Sequence, residues 1–355
     1  MKIHFLSLLF FLTSNFSLTH AAEKLEWIEN EINLGIIEES NGPVVKETGI
    51  VNTGRKSVSI LKSVSSCGCT EVSYPSGKIQ GGDTAIITFT FDPTRKFGKF
   101  LQEIELYVTD EKKPVTLEIS GIVMGNKETL GLAYPFQSGN LRLERDYLKT
   151  DTLVKGMKRH LFIELYNQSH DTLQPQIIST DPGLVLKIEP SAISPGEDAS
   201  LVCEIDSDSI GFYGKGIISG KILPDVSSSD TVDINVSTMI MPKIDDLNSS
   251  LGNYGLLNLE NNYVMVRLDK NGDFECGFEI HNTGTGPLHI YAISDESNIL
   301  KKGSFTDTMQ PGDSQYINLS LHRKDIPKGP FRINCDIISD DPFFPLQTIR
   351  IVGIN

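Results

Sequence analysis

Two thiols one residue apart are the part of this chain best equipped for chemistry. Cys67 and Cys69 flank Gly68 in "SSCGCT", Ser65 to Thr70, and the 355-residue chain holds five cysteines in all. In an extended segment, residues i and i+2 project to the same side, so the two sulfurs are brought near each other. Glycine between them permits backbone angles that a side chain would resist. Three chemistries fit: a local disulfide or packed thiol pair that pins a loop, thiol-disulfide exchange, and metal binding. A disulfide so short closes a small ring and is expected to be strained and readily reduced. Against exchange, Cys-Gly-Cys is not the Cys-X-X-Cys of thioredoxin-like proteins, and no βαβ pattern surrounds it. As a metal site, Cys67 and Cys69 supply half of a tetrahedral zinc set or a two-coordinate copper(I) site. No histidine lies between Ala22 and Met124 to complete a zinc site.

The other cysteines fall on strands. Cys203 alternates with Leu201 and Ile205 and reads as a buried, inert thiol. Cys276 alternates with Phe278 and Ile280, and Cys335 with Ile333 and Ile337. In an immunoglobulin-like strand order those two strands face each other across the core, so a Cys276–Cys335 bridge is expected. The 59 residues separating them would close a loop worth about 4 kcal/mol in the chain-entropy model.

The elements that position these residues recur. "NTG" at Asn52 is echoed by "NQS" at Asn167 and "NTG" at Asn282, in two equal steps of 115 residues. Each is followed by a Gly-acid pair, Gly82-Asp83, Gly196-Glu197 and Gly312-Asp313, and then by a strand with apolar residues at every second position. Gly98, Gly214 and Gly329 precede a further strand in each copy. Period-2 alternation broken by Gly, Pro, Asn and Asp turns predicts antiparallel β-sandwiches. The chain therefore reads as all-β: three tandem immunoglobulin-like sandwiches over residues 23–124, 125–243 and 244–355, behind a signal peptide at 1–22. The junctions "MGNKETLG" and "MPKIDDLNSSLGNYG" are short and polar, as linkers between separate beads would be. By spacing, Cys67 corresponds to Pro182 and Ser297, so the thiol pair is local to the first copy.

"NTG", "SSCGCT", "GGD", "FDP" (Phe91 to Pro93) and "GKF" (Gly98 to Phe100), in that order over Ile32 to Val123, resemble a bacterial family of unknown function typed by a Ser-Cys-Gly-Cys-Thr motif. The resemblance implies an exported protein of the kind found in Bacteroidota and an immunoglobulin-like fold related to the Hydin and major-sperm-protein domains. It implies no activity. Gly81 departs from the proline frequent in that family. Asp-Ser/Thr followed by a small apolar residue, at Asp83, Asp151, Asp171, Asp208, Asp230 and Asp307, resembles an O-glycosylation acceptor of the same bacteria, although strand-edge composition produces the same pattern.

Composition bounds the rest. Lys2, an apolar run from Phe5 to Leu12 and the small residues Ala21 and Ala22 have the layout of a secretory leader, too short to span a bilayer. A formal net charge of −14 disfavours nucleic acid and anionic membranes as partners. Outside the leader no segment is long and apolar enough for a membrane span. His160, His170, His281, His289 and His322 are scattered, with no His-Glu-x-x-His pair, nucleophile elbow or phosphate loop. "DKNGD", Asp269 to Asp273, reads as an Asn-Gly hairpin turn and not as a calcium loop. The expectation is a non-enzymatic binding or scaffolding protein of the periplasm or cell surface, without a cofactor, whose partner is another protein. The competing expectation is metal or thiol handling through Cys67 and Cys69.

Overall fold

The computed structural model describes residues 25–225, 230–244, 252–267, 274–295, 299–326 and 328–355. The leader, "DKNGD", Asp245, Asp246 and Ser297 lie outside the described residues. The chain is nearly all β, in tandem β-sandwiches, and divides into two compact units, one ending at Asn126 and one beginning at Lys127.

In the first unit the strands are β1 (Leu25–Trp27), β2 (Glu31–Glu38), β3 (Val44–Asn52), β4 (Ile60–Ser65), β5 (Thr70–Ser73), β6 (Thr84–Phe91), β7 (Gly98–Val108) and β8 (Val115–Met124). They form two sheets, in the orders β1-β3-β6-β5 and β2-β8-β7-β4. Alternation does what period 2 demands: Ile87, Phe89 and Phe91 of β6 face inward and are fully buried, the first two against Ile104 and Leu106 of β7 and Leu117 and Ile119 of β8 and Phe91 against Ile37 and Val123. The equivalent strands Asp198–Asp206 and Ser314–Leu321 bury Leu201, Cys203 and Ile205, and Ile317, Leu319 and Leu321, in the same way.

One pairing departs from the antiparallel reading. The chain enters as β1, antiparallel to β3, then changes sheet and runs as β2 parallel to β8. The same parallel closure recurs between Tyr147–Val154 and Val232–Met241, and between Tyr263–Arg267 and Leu346–Ile354. Alternation does not encode strand direction, so this feature has no signature in composition.

The second unit holds the other two sheet pairs, and they are not separate beads. Met241, Ala292 and Ile338 form a small buried cluster between them. Tyr213 and Tyr291 lie with ring centroids 4.6 Å apart, and Lys215 Nζ is 3.5 Å from the buried Asp336 carboxylate. Gly214 takes a φ of +88°, and a Cβ there would sit 2.8 Å from Ser294 Oγ, so the glycine lets the two sandwiches approach. Within the second unit, the polar stretch Lys127–Ala133 is a helix, α1. Its Leu130, together with the following Tyr134, packs on Tyr166, as residues three to four apart on one helical face can.

The repeated asparagines converge on one arrangement. Asn52, Asn167 and Asn282 are each at most 1% exposed. Asn52 Nδ2 donates to the carbonyls of Lys56 (2.8 Å) and Ile79 (2.9 Å), and its Oδ1 accepts from Gly54 N–H (3.0 Å). Asn167 repeats this with Asp171, Ile193 and Ser169, and Asn282 with Gly286, Met309 and Gly284. The backbone of each exchanges two hydrogen bonds with its Gly-acid pair: Asn52 N–H to Asp83 O and Gly82 N–H to Asn52 O, and likewise in the other copies. Gly82, Gly196 and Gly312 all have positive φ, which explains the glycine at that place. Gly81 sits so close to the Gly54–Arg55 backbone that a Cβ would be 2.6 Å from Gly54 O.

Asn282→Ala removes the amide donor to the buried Gly286 and Met309 carbonyls and the acceptor of the Leu256 and Gly284 N–H groups, and at about 1–3 kcal/mol for an unsatisfied group is expected to cost at least about 2 kcal/mol. Urea unfolding followed by tryptophan-independent circular dichroism checks this; a loss below about 0.5 kcal/mol, the size of an ordinary surface change, would show that the amide is not structural.

Candidate functional site

The SSCGCT segment crosses from one sheet to the other. β4 belongs to the β2-β8-β7-β4 sheet and β5 to its partner, so Ser66 to Cys69 spans the side of the sandwich. The crossing is clamped at both ends. Ser66 N–H donates to Glu103 O while Ser66 Oγ accepts from Glu103 N–H, both at 2.9 Å, fixing the loop to β7. Cys69 O accepts from Asp92 N–H (2.8 Å) and Cys67 O from Thr70 N–H (3.2 Å).

Cys67 and Cys69 are joined as a disulfide, with Cα atoms 5.2 Å apart, and both are half-buried. In this state neither sulfur is a thiolate available to a metal. Cys69 rests against the small cluster of Ile37, Phe91 and Val123, with Phe100 stacked on Phe91 at 4.4 Å. Its sulfur also has a polar partner: Gln102 Nε2 donates to Cys69 Sγ at 3.1 Å, while Gln102 Oε1 accepts from Thr70 Oγ at 2.7 Å. Gln102 and Thr70 are both buried. The amide thus ties the last residue of the motif and one of its sulfurs to the inward face of β7.

Sequence reasoning missed Gln102. The signal was available: Phe100, Ile104, Leu106 and Val108 occupy the inward positions of β7, and Gln102 interrupts them. A polar residue at a core position needs an internal partner. The conformational role expected of Gly68 is not seen. Its φ is not in the left-handed region, and a Cβ there would meet nothing within 4 Å.

The second sandwich shows the same crossing without sulfur. Asp181 N–H donates to Ser219 O, and Ser219 N–H donates to the Asp181 carboxylate (2.7 Å), matching the Ser66–Glu103 clamp. Leu184 N–H then closes on Asp181 O as Thr70 N–H does on Cys67 O. Pro182 and Gly183 stand where the first copy has Cys67, Gly68 and Cys69, so the disulfide occupies a loop one residue longer.

The expected Cys276–Cys335 bridge is absent; both are free thiols. Their strands do lie in opposite sheets of the third sandwich, and both side chains join its core. Facing strands do not by themselves bring Cβ atoms to the separation that a disulfide requires. Burial pushes the Cys276 thiol up to about 11. Cys335 rises to about 12 through burial first, then the neighbouring Asp295 and Asp336 carboxylates and Cys276. Cys203 is buried in the second core, and burial raises it to about 12, in keeping with an inert thiol.

Residues 25–123 match the model of a protein family of unknown function, DUF1573. No curated protein matches the chain. Among solved structures, a protein of unknown function from Porphyromonas gingivalis W83 is 17% identical over 61% of this chain and all of its own, with a TM-score of 0.49. The ASH/PapD-like domain 7 of human CEP192 is 15% identical over 32% of this chain and all of its own (TM-score 0.24). The endo-fucoidan hydrolase MfFcnA4 of glycoside hydrolase family 107 is 12% identical over 93% of this chain and 44% of its own (TM-score 0.26). None of the three likenesses bears on activity.

Two outcomes are expected of this loop. Gly68→Ala should change stability by less than about 0.5 kcal/mol, measured by urea unfolding; a loss several times larger would mean that the loop requires glycine. The denatured, unreduced protein should take up alkylating reagent at Cys203, Cys276 and Cys335 only, read by peptide mass; label at Cys67 or Cys69 would contradict the disulfide.

Proposed function

We propose that the protein is an exported, non-catalytic binding or scaffolding module of the periplasm or cell surface that recognises another protein by strand addition. The observation that carries this reading is the edge strand Gln176–Thr180. It is the outermost strand of its sheet and pairs, among the described residues, with Gly214–Leu223 alone. All five of its residues are exposed, including the apolar Ile177 and Ile178. Edge strands of soluble proteins are ordinarily blunted by charge, proline, bulges or covering segments; this one has a register shift between Ile177 and Ser179 but neither a charged residue nor a proline. An apolar one presents unpaired backbone groups and side-chain contacts to an incoming strand. Export is supported by the leader-like first residues and by the Cys67–Cys69 disulfide, which persists in oxidising compartments.

A second reading rests on a different observation, the Gln102 amide held on Cys69 Sγ. A hydrogen bond to sulfur favours the thiolate that reduction would release, making Cys69 the better leaving group in thiol exchange. In glutathione buffers, Gln102→Ala should then shift the pair toward the disulfide; an unchanged equilibrium would dismiss thiol handling.

The binding reading is tested in cells by placing a photo-crosslinking residue at Ile178. A discrete protein adduct in the envelope fraction, lost when Ile177→Asp is added, is expected. No adduct, or a chain retained in the cytoplasm with its leader uncut, would overturn the proposal.

A further inference from the structure

The third sandwich carries a second cluster of chemically active side chains, on the face of the strand Phe274–Asn282 opposite to the one that carries Cys276. Asn282, the buried hub residue, ends the strand Phe274–Asn282, and His281 beside it points outward. Its neighbours across the sheet are Asn258 on the strand Leu257–Leu259 and Ser314 on the strand Ser314–Leu321. Glu279, two residues earlier, shares the outward face, and Glu260 follows Leu259 on the adjoining segment. One ligand atom from each of Glu260, Glu279 and His281 lies within 4.8 Å of the others.

Two observations distinguish this from a chance meeting of surface charges. His281 Nδ1 is held by Ser314 Oγ at 2.7 Å, whereas Nε2 is shielded from solvent and has no hydrogen-bond partner; the nearest Glu260 oxygen stands at 3.8 Å. A ring nitrogen oriented through its opposite nitrogen is how histidine is prepared for a metal. The repeat supplies the other observation. Strand register aligns Glu260, Glu279 and His281 with Ile28, Gly49 and Val51 in the first copy and with Glu144, Glu164 and Tyr166 in the second. The first copy fills the place with apolar side chains, Ile28 lying over Gly49. In the second, Arg145 pairs with Glu144 and Tyr166 is turned into a buried cluster. The fold therefore does not need this trio.

We propose that Glu260, Glu279 and His281 form a binding site for a divalent cation of the zinc and copper(II) class. One imidazole and two carboxylates suit ions of that class. The site opens into a surface groove of about 530 Å³, bounded also by Asn258, Thr283 and Ser314, which leaves coordination positions for water or for a ligand from a partner. The backbone under the ligands is held by the Asn282 hub. His-Glu-x-x-His is a helical spacing; on a sheet face the ligands come from adjacent strands and leave no local motif.

The test uses the full mature chain, oxidised at Cys67 and Cys69, with zinc in calorimetry and cobalt(II) as a spectroscopic probe. One equivalent of zinc should bind. His281→Tyr, which copies the residue tolerated in the second sandwich, and Glu279→Gln should each weaken binding about tenfold or more, with circular dichroism unchanged. Undiminished binding in both variants would overturn the assignment. So would a sulfur-to-cobalt charge-transfer band, because the proposed site contains no sulfur, and so would the absence of zinc binding.

Discussion

Each sandwich is organised around one buried asparagine side chain. A strand ladder satisfies backbone groups only as far as the strand runs; where β3 ends, the chain must turn and its carbonyls would be stranded inside. Asn52 resolves this by donating twice and accepting once at that point, joining its own turn to the segment around Ile79. A buried amide is tolerable only when all such groups are paired, so the arrangement is an all-or-nothing solution. It also fixes the neighbouring Gly-acid pair through two backbone bonds, and that pair opens the next core strand. Equal spacing of Asn52, Asn167 and Asn282 is the trace this constraint leaves in the chain.

Positions outside the constraint are free to diverge, and they do. The residue before each asparagine lies on the strand face opposite the hub amide and is Val51, His281 or Tyr166, the last covered by Leu130 and Tyr134. The loop that crosses between sheets is built once on Ser66 with a disulfide and once on Asp181 with Pro182 and Gly183. Chemical capability is thus laid on the outside of a common frame, at different places in different copies.

How much of this the sequence discloses follows from what each interaction requires. Inward alternation and turn glycines are local demands on residue type, so the sandwich class, the core strands and the hub markers can be read from the chain. Gln102 was readable too, as a polar interruption of an apolar series. Strand direction is not local, and the parallel closure of β2 on β8 went unseen. The contact between the second and third sandwiches depends on Tyr213, Tyr291 and Ile338, distant residues that no periodicity connects. Cys276 and Cys335 show the same limit: alternation places both in one core, but a bond depends on ångströms that alternation does not specify. The leader-like pattern of residues 1–22 and the acidic balance bear on export and partners only through composition.

The two crossing loops give the disulfide its meaning. If Cys67–Cys69 existed to hold the crossing together, its counterpart would need a replacement of similar strength. Instead both loops are held by the same pair of backbone-directed bonds to the facing strand, from Ser66 in one and Asp181 in the other, and both close with the same turn. The sulfur pair is an addition to a loop already secured, and a three-residue ring constrains little chain entropy in comparison with a long one. Its contribution to stability is correspondingly small. What the added residue does create is a half-buried disulfide whose Cys69 sulfur is engaged by a buried amide that also holds Thr70. That link makes the state of the sulfur and the seating of β5 interdependent: altering the bond changes what Gln102 faces, and Gln102 answers through Thr70 to the edge strand of the opposite sheet.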